Sequence, residues 1–166
     1  MAEEFAHPEY LVTPVWLHVH LNDPTVRVVD GRPPEQYATG HIAGAANIDF
    51  MALATRDTSP AGLRAWIARM EEAFSAAGIA EGQTVVFYEE TAGYLAARGV
   101  WALTYLGYPG ARLLDGGLTA WRAAGYTVTC EPSRITPTRF RARPQPDIVA
   151  TYTDVLARLD DGQTQL

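Results

Sequence analysis

Two adjacent carboxylates stand where a buried-strand pattern changes into a helical one. The candidate loop consists of Glu89, Glu90, Thr91, Ala92, Gly93 and Tyr94. A strand that enters a helix through a glycine-containing loop points backbone N–H groups at one spot, which suits an anion. Two carboxylates oppose a bound anion, because like charges 4 Å apart repel by roughly 4 kcal/mol at an effective dielectric near 20. We therefore expect the pair to cap the helix, with acid–base chemistry as the alternative.

The sequence places no sulfur nucleophile in this loop. Cys130, the only cysteine, lies at the entry to a proline-rich segment with no predicted helix start behind it. We expect a small, partly buried structural side chain, with a reactive thiol as the alternative. The four histidines lack the spacing of metal ligands, so no metal site is expected; they are His7, His18, His20 and His41.

Three further polar residues lie at predicted strand ends or turns. Asp30 and Arg32 flank Gly31 at the end of a strand, and a local ion pair is expected. His41 lies in a glycine-flanked segment, where we expect it to bond to the backbone and hold a turn. A role for His41 as a base is the alternative.

A glycine-rich turn joins the last predicted strand to a helix. It consists of Asp115, Gly116 and Gly117, and Trp121 follows within the helix. An aspartate at such a position bonds the amides of its own turn, so we expect this of Asp115. Trp121 is expected to pack in the core.

Strand and helix patterns alternate along the chain with short connections. The predicted strands are residues 11–12, 26–30, 46–48, 84–88 and 112–114, and the predicted helices are residues 15–21, 60–77, 93–106 and 117–124. This alternation is typical of an α/β domain with a mainly parallel sheet of about five strands and helices on both faces. Functional sites in such folds lie beyond the carboxyl ends of the strands, so the segments after Asp30 and Tyr88 are the candidates.

Composition narrows the class of protein. The chain has 166 residues, of which 48% are hydrophobic and 19% charged, as expected for one globular domain with an appendage. Its formal net charge of −6 gives no electrostatic reason to bind nucleic acid or an anionic membrane. No apolar stretch is long enough to span a bilayer, and the start lacks the pattern of a signal peptide. We expect a cytoplasmic location.

The last part of the chain changes character. We expect residues 1–130 to form the domain and residues 131–150, with four prolines and four arginines, an extended basic connector. A short amphipathic helix with Tyr152, Val155, Leu156 and Leu159 follows, and residues 163–166 are strand-like. Residues 151–166 are therefore expected to open a second domain.

These motifs, in this order and spacing, resemble the rhodanese (sulfurtransferase) family over residues 11 to about 130. The matching segments are residues 28–32, 40–45, 84–88, 93–98, 106–108 and 114–117 with Trp121. The resemblance is closer to the N-terminal, non-catalytic domain of tandem thiosulfate or 3-mercaptopyruvate sulfurtransferases, on the strength of Gly93, Ala96, Ala97, Arg98 and Trp101. It implies a rhodanese-like fold without a cofactor.

The resemblance also implies how the chain works. In that family a loop cysteine of the second domain carries sulfur as a persulfide from thiosulfate or 3-mercaptopyruvate to cyanide or a thiol. Here the loop position falls on Glu89 or Glu90, neither of which can carry sulfur, so no catalytic residue is expected in this chain. The expected partners are the second rhodanese domain and a small anionic sulfur donor, which the connector arginines could attract. A stand-alone binding module, with the loop as a negative surface, is the alternative.

The chain departs from the tandem pattern at one point. Tandem relatives often carry a His-Met-Leu-Pro stretch after the third strand, whereas residues 58–62 here read Thr-Ser-Pro-Ala-Gly. A contribution of that histidine to a shared site is therefore not expected from this chain.

Overall fold

A five-stranded parallel sheet forms the centre of the molecule. The computed structural model describes residues 7–160 and 162. The strands are β1 (Leu11–Val12), β2 (Val26–Asp30), β3 (Ala46–Asn47), β4 (Thr84–Tyr88) and β5 (Ala111–Leu114). They lie in the order β1-β5-β4-β2-β3, and every pairing is parallel. The predicted α/β fold with a five-stranded parallel sheet is confirmed. The alternating pattern predicted it because parallel strands need crossover connections, which are usually helices.

Six α-helices accompany the sheet within residues 7–160. They are α1 (Pro14–His20), α2 (Pro34–Ala38), α3 (Pro60–Ala76), α4 (Tyr94–Tyr105), α5 (Gly117–Ala123) and α6 (Tyr152–Leu156). Thr13 and Ser59 cap α1 and α3, since their hydroxyls accept hydrogen bonds from the backbone N–H groups of Trp16 and Gly62. The sequence pattern did not predict α2, whose five residues are too few to show a helical period.

Two apolar layers enclose the sheet, one on each face. Alternate residues of the central strands point to opposite sides, so Val86 and Tyr88 pack with Leu17, Leu118 and Trp121 under α1 and α5. The other face is the larger layer and packs against α3 and α4; its aromatic members are Phe50, Trp66, Phe74, Phe87, Tyr105, Tyr108 and Phe140. Both faces are therefore covered by helices, as the sequence predicts.

The proline-rich segment has one 3-10 helix, Pro146–Ile148, and the residues before it pack against the domain. From residue 135 to residue 145 it runs along the ends of α3 and α4, and we call this stretch the strap. Its backbone N–H groups donate to the carbonyl oxygens of Ser75, Leu106 and Tyr105 at 2.7–2.9 Å. These helices run antiparallel to the strands, so the strap and its arginines follow the amino-terminal edge of the sheet. That edge lies opposite the candidate loop, and Arg143 there pairs with Glu81 at 2.9 Å.

One side chain of the strap completes the larger core. Phe140 is only 2% exposed, and its ring lies 5.0 Å from that of Phe74 and 4.3 Å from that of Tyr108. We expect Phe140→Leu to lower the free energy of unfolding by about 1–2 kcal/mol, because leucine keeps most of the apolar volume but loses the ring contacts. Urea denaturation of this variant and of Arg139→Ala, an exposed neighbour, measures the effect. An unchanged midpoint for Phe140→Leu would show that the strap adds nothing to the core.

The last helix exposes its apolar side. Thr151 begins α6 with a reciprocal capping box that involves Asp154. Five large apolar side chains in the described part of this segment are exposed; they are Ile148, Tyr152, Val155, Leu156 and Leu159. The strand-like residues 163–166 lie outside the described part of the chain. Across the described residues, we find no helix with the length and hydropathy needed to cross a bilayer.

Candidate functional site

The candidate residues gather at the carboxyl-terminal edge of the sheet. Strands β2 and β4 are neighbours, and their last residues, Asp30 and Tyr88, lie side by side in the register. The chain turns from β4 towards β5 on one side and from β2 towards β3 on the other, so a topological switch point lies between them. The candidate loop therefore meets Asp30 and Arg32 where α/β folds place their sites.

Glu89 fills the N-terminus of α4. Its Oε1 accepts hydrogen bonds from the backbone N–H groups of Leu95 at 2.7 Å and Ala96 at 3.2 Å, and the residue is buried. The carboxylate thus holds the spot at which the first turn of α4 aims its N–H groups. This is the geometry that the capping interpretation describes, and the loop supplies its own anion.

The loop leaves no room for a second group beside this carboxylate. A β-carbon placed on Gly93 would lie 2.5 Å from Oε1 of Glu89, so a side chain there would displace the carboxylate. Glycine fits here because of this close packing and not because of its backbone angle, since its φ of −117° is open to any residue. The cradle at the start of α4 is therefore closed around Glu89.

The turn before α5 holds the loop from the other side. The backbone N–H groups of Leu118 and Thr119 donate to the carbonyl oxygens of Glu89 and Glu90 at 2.9 and 2.8 Å. Gly117, at a φ of +60°, lies so close that a β-carbon would come within 2.6 Å of the Glu89 and Thr91 carbonyl oxygens. The loop backbone is thus fixed by the N-terminus of α5.

The prediction for Asp115 is wrong. Its side chain is exposed and, within the described residues, makes no hydrogen bond to its own turn; its backbone N–H instead donates to the Val12 carbonyl at 2.9 Å. Gly116 and Gly117 both adopt positive φ angles, and those angles form the turn without help from a side chain. Trp121 packs in the core as expected, with its indole N–H on the Thr127 carbonyl at 2.9 Å.

Asp30 and Arg32 form the expected ion pair, and it is buried. Asp30 is fully buried and the Arg32 side chain is 4% exposed, with 2.7 Å between Nη2 and Oδ2. Arg32 also donates from Nε to Asp30 at 3.0 Å and from Nη2 to the Gly40 carbonyl at 2.7 Å. Burial alone would lower the pKa of Arg32, but the hydrogen bonds and charge of Asp30 raise it above its ordinary value.

Glu90 points away from Glu89 and ends this network. Its Oε2 lies 2.9 Å from Nη1 of Arg32, and its Oε1 lies 2.8 Å from Nη1 of Arg122. The Thr119 hydroxyl also donates to Oε1 at 3.3 Å. Both glutamates of the loop are therefore engaged, one by a helix terminus and one by two guanidinium groups, and they do not face each other as an acid–base pair.

Tyr88 and His41 are buried next to this edge of the sheet and bond to backbone groups of the segment 37–42. The buried Tyr88 hydroxyl accepts the Ile42 N–H at 3.0 Å, and burial together with the charge of Asp30 raises the pKa of Tyr88 far above its ordinary value. The buried His41 bonds through Nδ1 to the Tyr37 carbonyl at 2.9 Å and stacks on the Tyr37 ring. His41 therefore lies in the backbone-bonded position that holds a turn.

The two remaining sequence candidates lie outside the loop. Arg98 donates to the Phe50 carbonyl at 2.8 Å and lies over the Tyr94 ring, so it ties α4 to the segment after β3. Cys130 is exposed, not partly buried as predicted, and its Sγ lies 3.5 Å from the Thr39 carbonyl oxygen. The residue follows a single antiparallel bridge between Thr129 and His41, which leaves its side chain on the surface.

Sequence reasoning missed Thr119 and Arg122. They are three residues apart, so they share the face of α5 that looks on to Glu90. The prediction that α5 starts at the same edge of the sheet as the loop could have pointed to these two residues. Among the described residues, no group of three or more histidine, cysteine, aspartate or glutamate side chains is placed to hold a metal ion.

Comparison with known proteins gives consistent matches. The model of the rhodanese-like domain family matches residues 13–124. The sulfur carrier protein TtuD of Thermus thermophilus is 34% identical over 153 residues, which cover 90% of this chain and 52% of that protein. The thiosulfate sulfurtransferase of Corynebacterium glutamicum is 35% identical over 124 residues, which cover 73% of this chain and 40% of that protein.

A solved structure agrees in fold. The crystal structure of SseA from Escherichia coli, described as a 3-mercaptopyruvate sulfotransferase with the rhodanese fold, superposes with a TM-score of 0.78 at 26% identity. The match covers 94% of this chain and 63% of that one. The chain spans about half the length of the curated relatives it matches.

Proposed function

The chain belongs to the rhodanese-like domain family, and from this premise we propose that it is the half of a thiosulfate or 3-mercaptopyruvate sulfurtransferase that does not carry sulfur. The observation that carries the proposal is the position of Glu89. Its carboxylate occupies the cradle of α4 N–H groups where a thiolate would be activated. A carboxylate cannot hold a persulfide, so the sulfur step belongs to a cysteine elsewhere in the intact protein.

The proposed reaction of the intact protein has two steps. A cysteine thiolate attacks the sulfane sulfur of thiosulfate; a new S–S bond forms, the old one breaks, and sulfite leaves with the electron pair. Cyanide or a thiolate then attacks the outer sulfur of the persulfide and regenerates the cysteine thiolate. In this scheme the present chain covers the partner domain's site and excludes water from it.

The proposed partner is a second rhodanese domain of the same protein. Its support is the row of exposed apolar side chains on and around α6, of which Tyr152 is 68% and Leu159 55% exposed. Apolar groups that cluster on a surface in this way are typical of a contact region. The curated relatives offer about the same length again for such a domain.

The geometry favours this over the alternative of a stand-alone module with a negative loop. Glu89 is buried at the start of α4, and Glu90 shares its charge between Arg32 and Arg122. The loop therefore presents no unpaired pair of carboxylates to a basic partner.

The test is a sulfur-transfer assay of residues 1–166. With thiosulfate and cyanide, we expect thiocyanate to form no faster than in buffer, because the loop has no thiolate. Cys130→Ser is the matched control. Activity that disappears in Cys130→Ser would overturn the proposal and make the exposed thiol a sulfur relay, and activity that survives the change would overturn it as well.

A further inference from the structure

Three donors converge on one point beside the candidate loop. Nη1 of Arg32 donates to Oε2 of Glu90 at 2.9 Å. Nη1 of Arg122 and the Thr119 hydroxyl donate to the other oxygen, Oε1, at 2.8 and 3.3 Å. Two guanidinium groups and a hydroxyl directed at one anionic group are the donor set that proteins use for oxyanions. We call this set the arginine pocket: Arg32, Thr119 and Arg122.

Arg32 keeps its position without Glu90. Its Nε and Nη2 are held by Asp30 and by the Gly40 carbonyl, and its side chain is 4% exposed. The one nitrogen that these contacts leave over, Nη1, is the one directed at Glu90. The donor is therefore preorganised and stays aimed at the same point whatever occupies it.

Glu90 is the replaceable member. Its side chain is 50% exposed, and the loop backbone is fixed separately by the Thr119 N–H on the Glu90 carbonyl. The pair with Arg122 is exposed at both partners and contributes little, so the bond to Arg32 is the main contact that the carboxylate loses when it turns into water. Without it, Asp30 still balances the charge of Arg32, whereas Arg122 has no other ion-pair partner among the described residues.

We propose that the arginine pocket binds a small tetrahedral oxyanion, of the class of sulfate and thiosulfate, and that Glu90 is a built-in competitor for it. The ligand places two oxygens where those of Glu90 lie and displaces that side chain into solvent. This binding does not rest on the proposed function, since sulfate has no sulfane sulfur to transfer and yet fits the same donors. A sulfur-transfer assay and an anion titration can therefore fail independently.

The experiment is an NMR titration of the 166-residue chain with sodium sulfate and then thiosulfate, at constant ionic strength set with chloride. In the unaltered protein we expect weak, saturable shifts of the Arg122 and Arg32 side-chain N–H signals and of the Thr119 amide. Glu90→Gln should bind both anions about tenfold more tightly, because it removes the competing charge. Arg122→Met should abolish saturation, since it removes an exposed donor without opening the core.

Glu81→Gln is the matched control, because Glu81 pairs with Arg143 at the opposite edge of the sheet. It should leave the affinity at Arg122 unchanged. Equal anion affinity in Glu90→Gln and Glu81→Gln would overturn the proposal, as would shifts at Arg143 as large as those at Arg122. Either result would mean that the anion binds non-specifically to surface charge and not at the arginine pocket.

Discussion

Glu89→Cys is expected to create a thiol that reacts with iodoacetamide at pH 7 at least about ten times faster than Cys130. The new side chain would lie at the cradle where Leu95 and Ala96 now donate to the Glu89 carboxylate. Helix N-termini lower the pKa of a nearby cysteine by stabilising the thiolate, which is the reactive form. The rate is measured in a Cys130→Ser background, so that only the new thiol reacts.

Glu81→Cys, also in the Cys130→Ser background, is the control for an exposed thiol with no helix terminus behind it. The pH dependence of alkylation should give residue 89 a pKa at least about one unit below that of residue 81. Equal rates at the two positions would contradict the cradle interpretation. A circular dichroism spectrum that matches the parent protein shows that loss of the cap has not unfolded α4.

The same variant probes how far the loop remains suited to sulfur chemistry. Cysteine is shorter than glutamate, so the space beside Gly93 that now holds the carboxylate becomes free for a second sulfur atom. Attack of the thiolate on thiosulfate would place the sulfane sulfur there and release sulfite. A mass increase of one sulfur atom on the variant, lost on addition of cyanide, is the expected readout.

Arg32→Met is expected to lower the free energy of unfolding by about 3–5 kcal/mol. The loss is large because Asp30 is fully buried and would keep its charge without a partner, while Gly40 would lose the donor to its carbonyl. Urea denaturation monitored by tryptophan fluorescence measures it. The double variant Asp30→Asn/Arg32→Met should be less destabilised than Arg32→Met alone, since it no longer buries a bare carboxylate.

The matched control is Arg143→Met, which breaks an exposed pair with Glu81. It should leave the denaturation midpoint nearly unchanged, because solvent screens that pair. Equal losses in Arg32→Met and Arg143→Met would contradict the view that burial gives the Asp30–Arg32 pair its effect.

The sequence was sufficient for the elements and for the edge at which the site lies. Continuous runs of β-branched and aromatic residues predicted β2 and β4 at their observed bounds, and helical periods predicted α3 and α4 to within one residue. These features depend on neighbours within one turn or one strand, so a local pattern carries them. The position of the loop at the carboxyl edge followed from the parallel order alone.

Local sequence patterns did not predict the tertiary contacts that set the role of each residue. Whether Glu89 or Glu90 accepts the N–H groups at the start of α4 depends on Gly93 and on the turn at Gly117. That turn follows β5 and packs against the loop. Cys130 is exposed, and Asp115 bonds through its backbone, for reasons that involve residues more than 80 positions away. Burial and side-chain direction at such points are settled by tertiary packing, which single-sequence patterns do not encode.

The burial of Phe140 has a consequence for how the protein is made. During translation the chain leaves the ribosome from its N-terminus, and domains fold as units once their last core residue is available. The larger apolar layer lacks the Phe140 ring until residue 140 has emerged. Until then the apolar side chains of that layer are only partly covered. A chaperone that binds nascent apolar segments would find its target at this stage, and truncation before the strap would prolong that exposure.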